Sequence, residues 1–576
     1  MRVTRANKDV LIVFPSSTSD SLDASALDGL DLSRGITLGA IIDSADGELE
    51  RSQALISQWP YPREFGGFAG YNAAGTDGLN TTGYFGAVFD GRFVYFVPEQ
   101  HATLQTHANV LRYDTQRSFY DPESYCAFDA SHTSGLDVRG FYGGAFDGRY
   151  VYFIPRQLDM ERYHTRLLRY DTQNNFKDPA AWDAHDIGLE QSAQSCAFDG
   201  RYLYFAPGFT GDPKKENEYC GKVIRFDTQS DFHASASYGT ADLKQLLGGK
   251  AACFDGGAFD GRFIYFVPLY DHVIVRYDVT KPFTASESWQ QIDLSPLGVE
   301  LFVGAVFDGK YLYPVPYASS RAIRFDVSKR FEDLRSWESV EVGDIDGLKT
   351  VGFDGGFFDG RYVHFVPFVY GSKQAGYTFH SSFLRYDPAK PFTDRSAWCA
   401  KDAILTDGLK TTGYNAGAFD GRFFYCAPWQ QGRAPLTDER IVHGKILRYD
   451  TVGDRASFSL RFCDYGHNGG LNAGVRGPTF LVNTDAGVRS ISIPRSVGAG
   501  THRIAARFDG REIAIVADSE QLSTPASGRM HHNAMPILIG SLDQAMSRFR
   551  GKIGCIGIAS ASIAPAELLE KLHQSI

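Results

Sequence analysis

The sequence predicts an all-β protein, and three observations carry that expectation. Sixty glycines in 576 residues, with aromatics at 14 % (43 Phe, 30 Tyr), combine turn formers and strand formers at a density that suits short strands and tight turns. The block Phe-Asp-Gly-[Arg/Lys]-[Tyr/Phe]-x-[Tyr/His] recurs at Phe89, Phe146, Phe198, Phe259, Phe307, Phe358 and Phe419, 48 to 61 residues apart. A unit that long holds about four strands with their loops, the size of one β-propeller blade. The residues just ahead of each block are small, as in Gly86-Ala87, Ser195-Cys196 and Ala416-Gly417, which suits strands crowded around a common axis. Seven such units predict a seven-bladed β-propeller.

Each blade reads alike. A first strand ends in Asp-Gly, where Asp bonds its own backbone and Gly takes a positive φ, so the chain reverses in two residues. A second strand alternates and stops at Pro98, Pro155, Pro207, Pro268, Pro316, Pro367 or Pro428, since proline cannot donate to a ladder. A third ends in Arg-[Tyr/Phe]-Asp, from Arg112 to Asp114 through to Arg448 to Asp450. A fourth begins at Tyr125, Trp182, Tyr238, Trp289, Trp337 or Trp398. The recurring Asp and Arg residues are needed in every blade, which marks them as turn and inter-blade contacts rather than catalytic groups.

The chain ends lack this repeat. After residue 455 come SFSLRF, a Phe-Asp-Gly hairpin spanning His502 to Asp518, a strand ending Ile-Gly (Ile537 to Gly540), and Phe549-Arg550-Gly551-Lys552-Ile553-Gly554 leading to Ile563-Ala564-Pro565-Ala566-Glu567-Leu568. These motifs resemble the laminin-G-like, concanavalin-A-type jelly-roll family over about 120 residues. The resemblance lacks the opening strands, which Gly35 to Ile42 and Gln53 to Trp59 supply. It therefore implies a split β-sandwich of residues 1–62 and 455–576, with the propeller, 63–454, inserted in one of its loops. The last blade's outer strand is then expected around Phe65 to Tyr71, with Ser457 to Phe462 as the competing candidate.

Lys and Arg number 58 against 68 Asp and Glu, a net charge of −10 with both signs scattered, so bulk electrostatic binding of nucleic acid is not expected. The N-terminus has five apolar residues before Pro15, too few for a signal peptide, and no apolar run is long enough to span a membrane. Synthesis in the cytoplasm is expected, with a virion or released particle as a further destination. Cys126, Cys196, Cys220, Cys253, Cys399, Cys426, Cys463 and Cys555 lie far apart without a C-x-x-C and read as buried free thiols.

The second-to-third-strand loops vary in length where the Asp-Gly turns do not, so the variable face is the expected binding face. Just past the strand-ending prolines stand Glu99, Arg156, Phe209, Tyr270, Tyr317, Phe368 and Trp429, with Gln100, Gln157 and Gln430 beside three of them. Aromatic planes with amides and charged groups suit a sugar ring, and four successive aromatics predict an open platform in which Glu99 matters little. Four residues before each repeat Phe lies a second ring that includes Gln194, Asp255, Asp354 and Asn415. Its oxygens suit water or a hard cation such as calcium, although no cofactor is expected and the metal question stays open.

No catalytic template emerges. Asp255 and Asp354 are the only carboxylate pair suited to glycoside hydrolysis, the Asp-box repeat of known propeller glycosidases is absent, and the histidines, including His531-His532, are scattered. The expected function is therefore recognition or adhesion without turnover, as laminin-G-like domains imply: binding of a glycan or a protein surface, for instance in a phage tail or spike with its particle-assembly partners. A glycan hydrolase or lyase on the propeller face and a protein-docking scaffold are the alternatives.

Overall fold

In the first repeat, strands Tyr84–Phe89, Phe93–Pro98, Asn109–Asp114 and Tyr125–Asp129 pair antiparallel in that order. Asp90 builds the first turn: its Oδ1 accepts from the backbone N–H groups of Arg92 and Phe93 at 2.8 and 2.7 Å, and its Oδ2 from the Tyr95 hydroxyl at 2.7 Å. Arg92 pairs with Asp114 at the end of the third strand, 2.7 Å away. Arg112 lies over Phe93 of its own sheet and Phe176 of the next, 4.1 and 4.3 Å from the ring centroids. In this repeat the Asp-Gly-Arg set works within one sheet, and the Arg of Arg-[Tyr/Phe]-Asp reaches across to the next. The expected turn and inter-blade roles thus fall to different members of the set, the third-strand Asp lying beside the turn.

The computed structural model describes residues 1–17, 19–44, 53–101, 105–159, 162–211, 218–249, 251–299, 301–434, 439–462, 477–493, 497–541, 549 and 551–575. Among these, seven sheets repeat the four-strand pattern, the third with an added short strand. Each first strand packs on the first strand of the next sheet, and that of the seventh, Tyr414–Phe419, returns to the first. This closed ring is a β-propeller architecture.

Every first strand is bulged, and its register against the second strand slips there. At the bulge Gly86, Gly143, Ser195, Gly256, Gly304, Gly355 and Ala416 hold φ between +49° and +80°. Axial crowding is therefore only part of why small residues recur here; the left-handed backbone of the bulge is the other. Packing is close as well, since a Cβ on Gly144 would lie 2.4 Å from the Tyr152 carbonyl oxygen.

The seventh sheet takes its fourth strand, Phe68–Asn72, from ahead of the first repeat, paired with Lys445–Asp450. Just before it Phe65 lies under Arg385, 4.6 Å from the guanidinium, the place Phe176 has under Arg112.

The remaining strands form two larger sheets. One runs Arg2–Asn7, Val10–Phe14, Gly551–Ser560, Ile36–Ser44, Gly500–Phe508, Glu512–Ala517, Glu520–Pro525; the other runs Asp20–Leu22, Ile537–Ile539, Gln53–Gln58, Phe458–Phe462, Pro478–Thr484, Gly487–Ser492. Leu38, Ile504 and Ile556 from the first meet Ile56, Leu460 and Phe480 from the second in one core. The helix Pro565–Ser575 covers the outer face of the first sheet, where Gly557 leaves room for Leu568; a Cβ there would come within 2.8 Å of that side chain.

This two-sheet unit sits against the Asp-Gly turns. Tyr61 donates to the Asp359 carbonyl at 2.6 Å, Ser490 to the Gly91 carbonyl at 3.3 Å, and Arg422 to the Asn483 side chain at 2.5 Å. Among the described cysteines all are free, with Cys126 and Cys399 half-buried and the rest buried. Cys463, Arg550 and residues 212–217 of the longest loop lie outside the described residues. No described helix is long and apolar enough to cross a membrane.

Candidate functional site

The side chain ahead of each bulge is re-aimed toward the ring's axis. Phe85, Tyr142, Gln194, Asp255, Val303, Asp354 and Asn415, one from each sheet, therefore line a single cavity of about 310 Å³ at the loop end. Residues just past the prolines close its wall: Arg156, Tyr270, Tyr317, Phe368, Trp429 and Gln430. Short hairpins in the second-to-third-strand loops add Tyr377, Phe379, Arg433 and Arg440. Its size falls at the lower end of the roughly 300–1,000 Å³ of small-molecule sites. Of the residues read as ligand-binding from the sequence, Gln157 alone does not reach it. Arg156 faces the cavity and Gln157, next along the chain, turns away to pair with Tyr163 in a hairpin.

Asp255 and Asp354 are 2 % and 4 % exposed. The Tyr142 hydroxyl donates to both oxygens of Asp255 at 3.1 Å, and Asn415 Nδ2 donates to Asp354 Oδ2 at 2.8 Å. Asp354 Oδ1 has no partner. Neither carboxyl bonds to a cation, so burial favours the neutral acid. Burial pushes Asp255 up to about 8, and burial together with the charge of Asp255 pushes Asp354 well above the carboxylate range.

The aromatics do not form an open platform. Phe368 and Trp429 are 7 % and 2 % exposed. The hairpins of the sixth and seventh sheets rise beside them, with Phe379 edge-on to Phe368 at 5.7 Å, Arg440 over Trp429 at 5.4 Å, and Phe85 against Trp429 at 4.3 Å. The fourth and fifth sheets carry short loops, which leave Tyr270 at 51 % exposure and Tyr317 half-buried. Two tyrosine faces at the low side of the wall replace the expected row of four.

Arg156 Nε donates to Gln194 Oε1 at 3.0 Å and its Nη1 pairs with Glu99 at 2.5 Å. Glu99 is 1 % exposed, so its expected irrelevance is corrected: it neutralises a guanidinium at the cavity wall. Arg440 donates to Gln100 Oε1. Burial lowers the Arg440 pKa; Glu99 opposes this, and the like charges of Arg156 and Arg433 add to it.

The histidines are less scattered than their spacing suggests. His107, His164, His380 and His443 each place Nε2 on a carbonyl oxygen (Gly83, Arg139, Gly352, Thr412) and Nδ1 on a backbone N–H two residues on. That pattern requires a neutral ring with its proton on Nε2. Burial accordingly holds His107 and His443 down to about 3 and His164 and His380 to about 4. Among the described residues no group of three or more His, Cys, Asp or Glu side chains is placed to hold a metal ion.

No protein-family model matches the sequence, and no curated protein does. Among solved structures, virginiamycin B lyase from Staphylococcus aureus is similar over 68 % of this chain and 100 % of its own, at 11 % identity and a TM-score of 0.40. A hypothetical selenium-binding protein from Sulfolobus tokodaii covers 54 % of this chain and 76 % of its own, at 12 % identity and a TM-score of 0.36. A nidogen/laminin complex covers 54 % and 95 %, at 13 % and 0.28. At these scores none bears on what the chain binds or does.

Proposed function

We propose that the protein is a recognition module that takes a saccharide unit into the axial cavity through the low side of its wall, beside Tyr270 and Tyr317. The observation that carries this reading is the lining itself: an exposed Tyr270 stacked on Tyr219 and a half-buried Tyr317 stacked on Phe368, amides from Asn415, Gln194 and Gln430, and two neutral carboxyls around one space. Ring faces stack on the apolar side of a sugar, and neutral donors and acceptors suit its hydroxyls. Guanidinium groups in the wall make a hard cation the poorer occupant.

The seven sheets are read as seven blades, inserted at 63–454 into a laminin-G-like sandwich of residues 1–62 and 455–576. In that arrangement the sandwich holds the ring by its turn end and presents the loop end outward. The test is a glycan array followed by titration calorimetry with Tyr270→Ala. Tyr270 is 51 % exposed, so the variant should keep its melting temperature and lose roughly 1–3 kcal/mol of affinity. Unchanged affinity would remove the site from this face.

A second reading, a glycan hydrolase or lyase, is favoured by one observation: Asp255 and Asp354 are buried acids facing the same cavity, and Asp354 keeps an oxygen unbonded. A hydrolysis assay on every saccharide that binds separates the two readings, and cleavage that disappears in both Asp→Asn variants would make the protein an enzyme.

A further inference from the structure

We infer that the occupant of the axial cavity is an acidic sugar, one whose carboxylate is gripped by Arg440 while its ring lies against Tyr317 and Tyr270; this rests on the recognition reading above. The argument is one of charge. Arg440 lines the cavity on the first strand residue after the seventh-sheet loop, and its hydrogen bond goes to an uncharged amide oxygen, that of Gln100. Among the described residues no carboxylate pairs with it. Glu99, whose charge acts on Arg440, is bonded through Oε1 to Arg156 and makes no ion pair with Arg440 among the described residues. The cavity's own carboxyls do not answer the charge either, since Asp255 and Asp354 bond only to the neutral Tyr142 and Asn415.

A guanidinium withdrawn from water next to like charges is costly until an anion meets it. The depression of the Arg440 pKa by burial and by Arg156 and Arg433 expresses that cost. Arg440 also lies over Trp429, 5.4 Å from its ring, which fixes the plane of its fork. A planar fork held in one orientation matches a carboxylate, which it can take through two parallel N–H···O bonds. The protonated Asp255 and Asp354 then act as hydrogen-bond donors to sugar oxygens without repelling the anion, which two ionised carboxylates in the same space would do.

The experiment titrates the full chain with uronate and sialic-acid oligosaccharides, with their methyl esters, and with inorganic phosphate and sulfate. Acid forms should bind at least tenfold more tightly than esters, with an affinity that falls as salt is raised. Arg440→Gln should remove that preference, lowering affinity for the acids about tenfold and leaving the esters unchanged. If Arg440→Gln does not fold, Arg440→Lys decides: it keeps the charge without the fork and should lose most of the preference. Equal binding of acid and ester overturns the inference and leaves recognition of a saccharide standing. Binding of phosphate or sulfate without any acidic sugar overturns it in favour of a simple anion site. No saccharide binding of either kind overturns both readings.

Discussion

Replacing Asp255 by Asn tests whether the buried carboxyl pair is neutral. In the unfolded chain an Asp titrates near 3.9, whereas burial holds Asp255 up to about 8 in the fold. Between those values the folded state carries one more proton than the unfolded state, so stability falls as pH rises, by about 1.4 kcal/mol per pH unit. The stabilisation from that proton is complete below the unfolded value and gone above about 8. Asn stays neutral throughout and still offers an oxygen to the Tyr142 hydroxyl. The stability of Asp255→Asn relative to the wild type should therefore grow by roughly 3 kcal/mol from pH 5 to pH 7 and level off above pH 8. Urea-unfolding midpoints measured for both proteins at each pH read this difference, and contributions from titrating groups other than Asp354, whose pKa the Asp255 charge raises, cancel. A difference that stays constant from pH 5 to pH 8 would refute the assignment of a neutral Asp255.

The four backbone-bonded histidines predict the opposite slope. Their folded pKa values lie at about 3 to 4, so the stability they contribute is present above the unfolded value near 6.5 and is lost as pH falls toward 4. Wild-type unfolding midpoints should drop across that window, less steeply in His443→Gln. Glu99→Ala should destabilise the protein by roughly 3 kcal/mol, because it leaves Arg156 unpaired at the cavity wall; an unchanged melting temperature would show the pair to be dispensable. Trp429→Ala should cost about 3–5 kcal/mol in thermal or denaturant unfolding, in contrast to Tyr270→Ala. A fragment of residues 455–576 should show no cooperative melting, since it lacks Ile36–Ser44 and Gln53–Gln58, each an interior strand of its sheet.

What the sequence made legible was whatever repeats. The Phe-Asp-Gly block, the terminal prolines and the aromatic starts of the fourth strands each occur at a fixed step, so strand order could be read from them, and the second ring of residues could be found by counting back from Phe89 or Phe419. The bulge could not, because Ser195 and Ala416 carry no mark of a positive φ. Arg433, Arg440, Tyr377 and Phe379 were missed for a related reason. They sit in loops of differing length, where no register relates one blade to another, and only the short alternations GYTF and RIV hinted at hairpins. Burial of Phe368 and Trp429 depended on those same hairpins, so the open platform expected from their spacing was an error about neighbours rather than about position. The histidines share a place two residues before a paired backbone N–H, but the intervening loops hide it.

The borrowed strand Phe68–Asn72 sets a timetable for biosynthesis. It emerges from the ribosome early and waits for Lys445–Asp450, its pairing partner, while six sheets are made in between. Val10–Phe14 waits longer still, for Gly551–Ser560. Until Gly551–Ser560 is made, the nascent chain carries apolar strands such as Val10–Phe14 and Ile36–Ser44 with unpaired edges. Contacts that span nearly the whole chain form slowly and leave such edges open to pairing with other chains. Cells making this protein would have to shield Val10–Phe14, Ile36–Ser44 and Phe68–Asn72 until their partners are made, and yield on expression should depend on holdase chaperones more than on the stability of the finished ring.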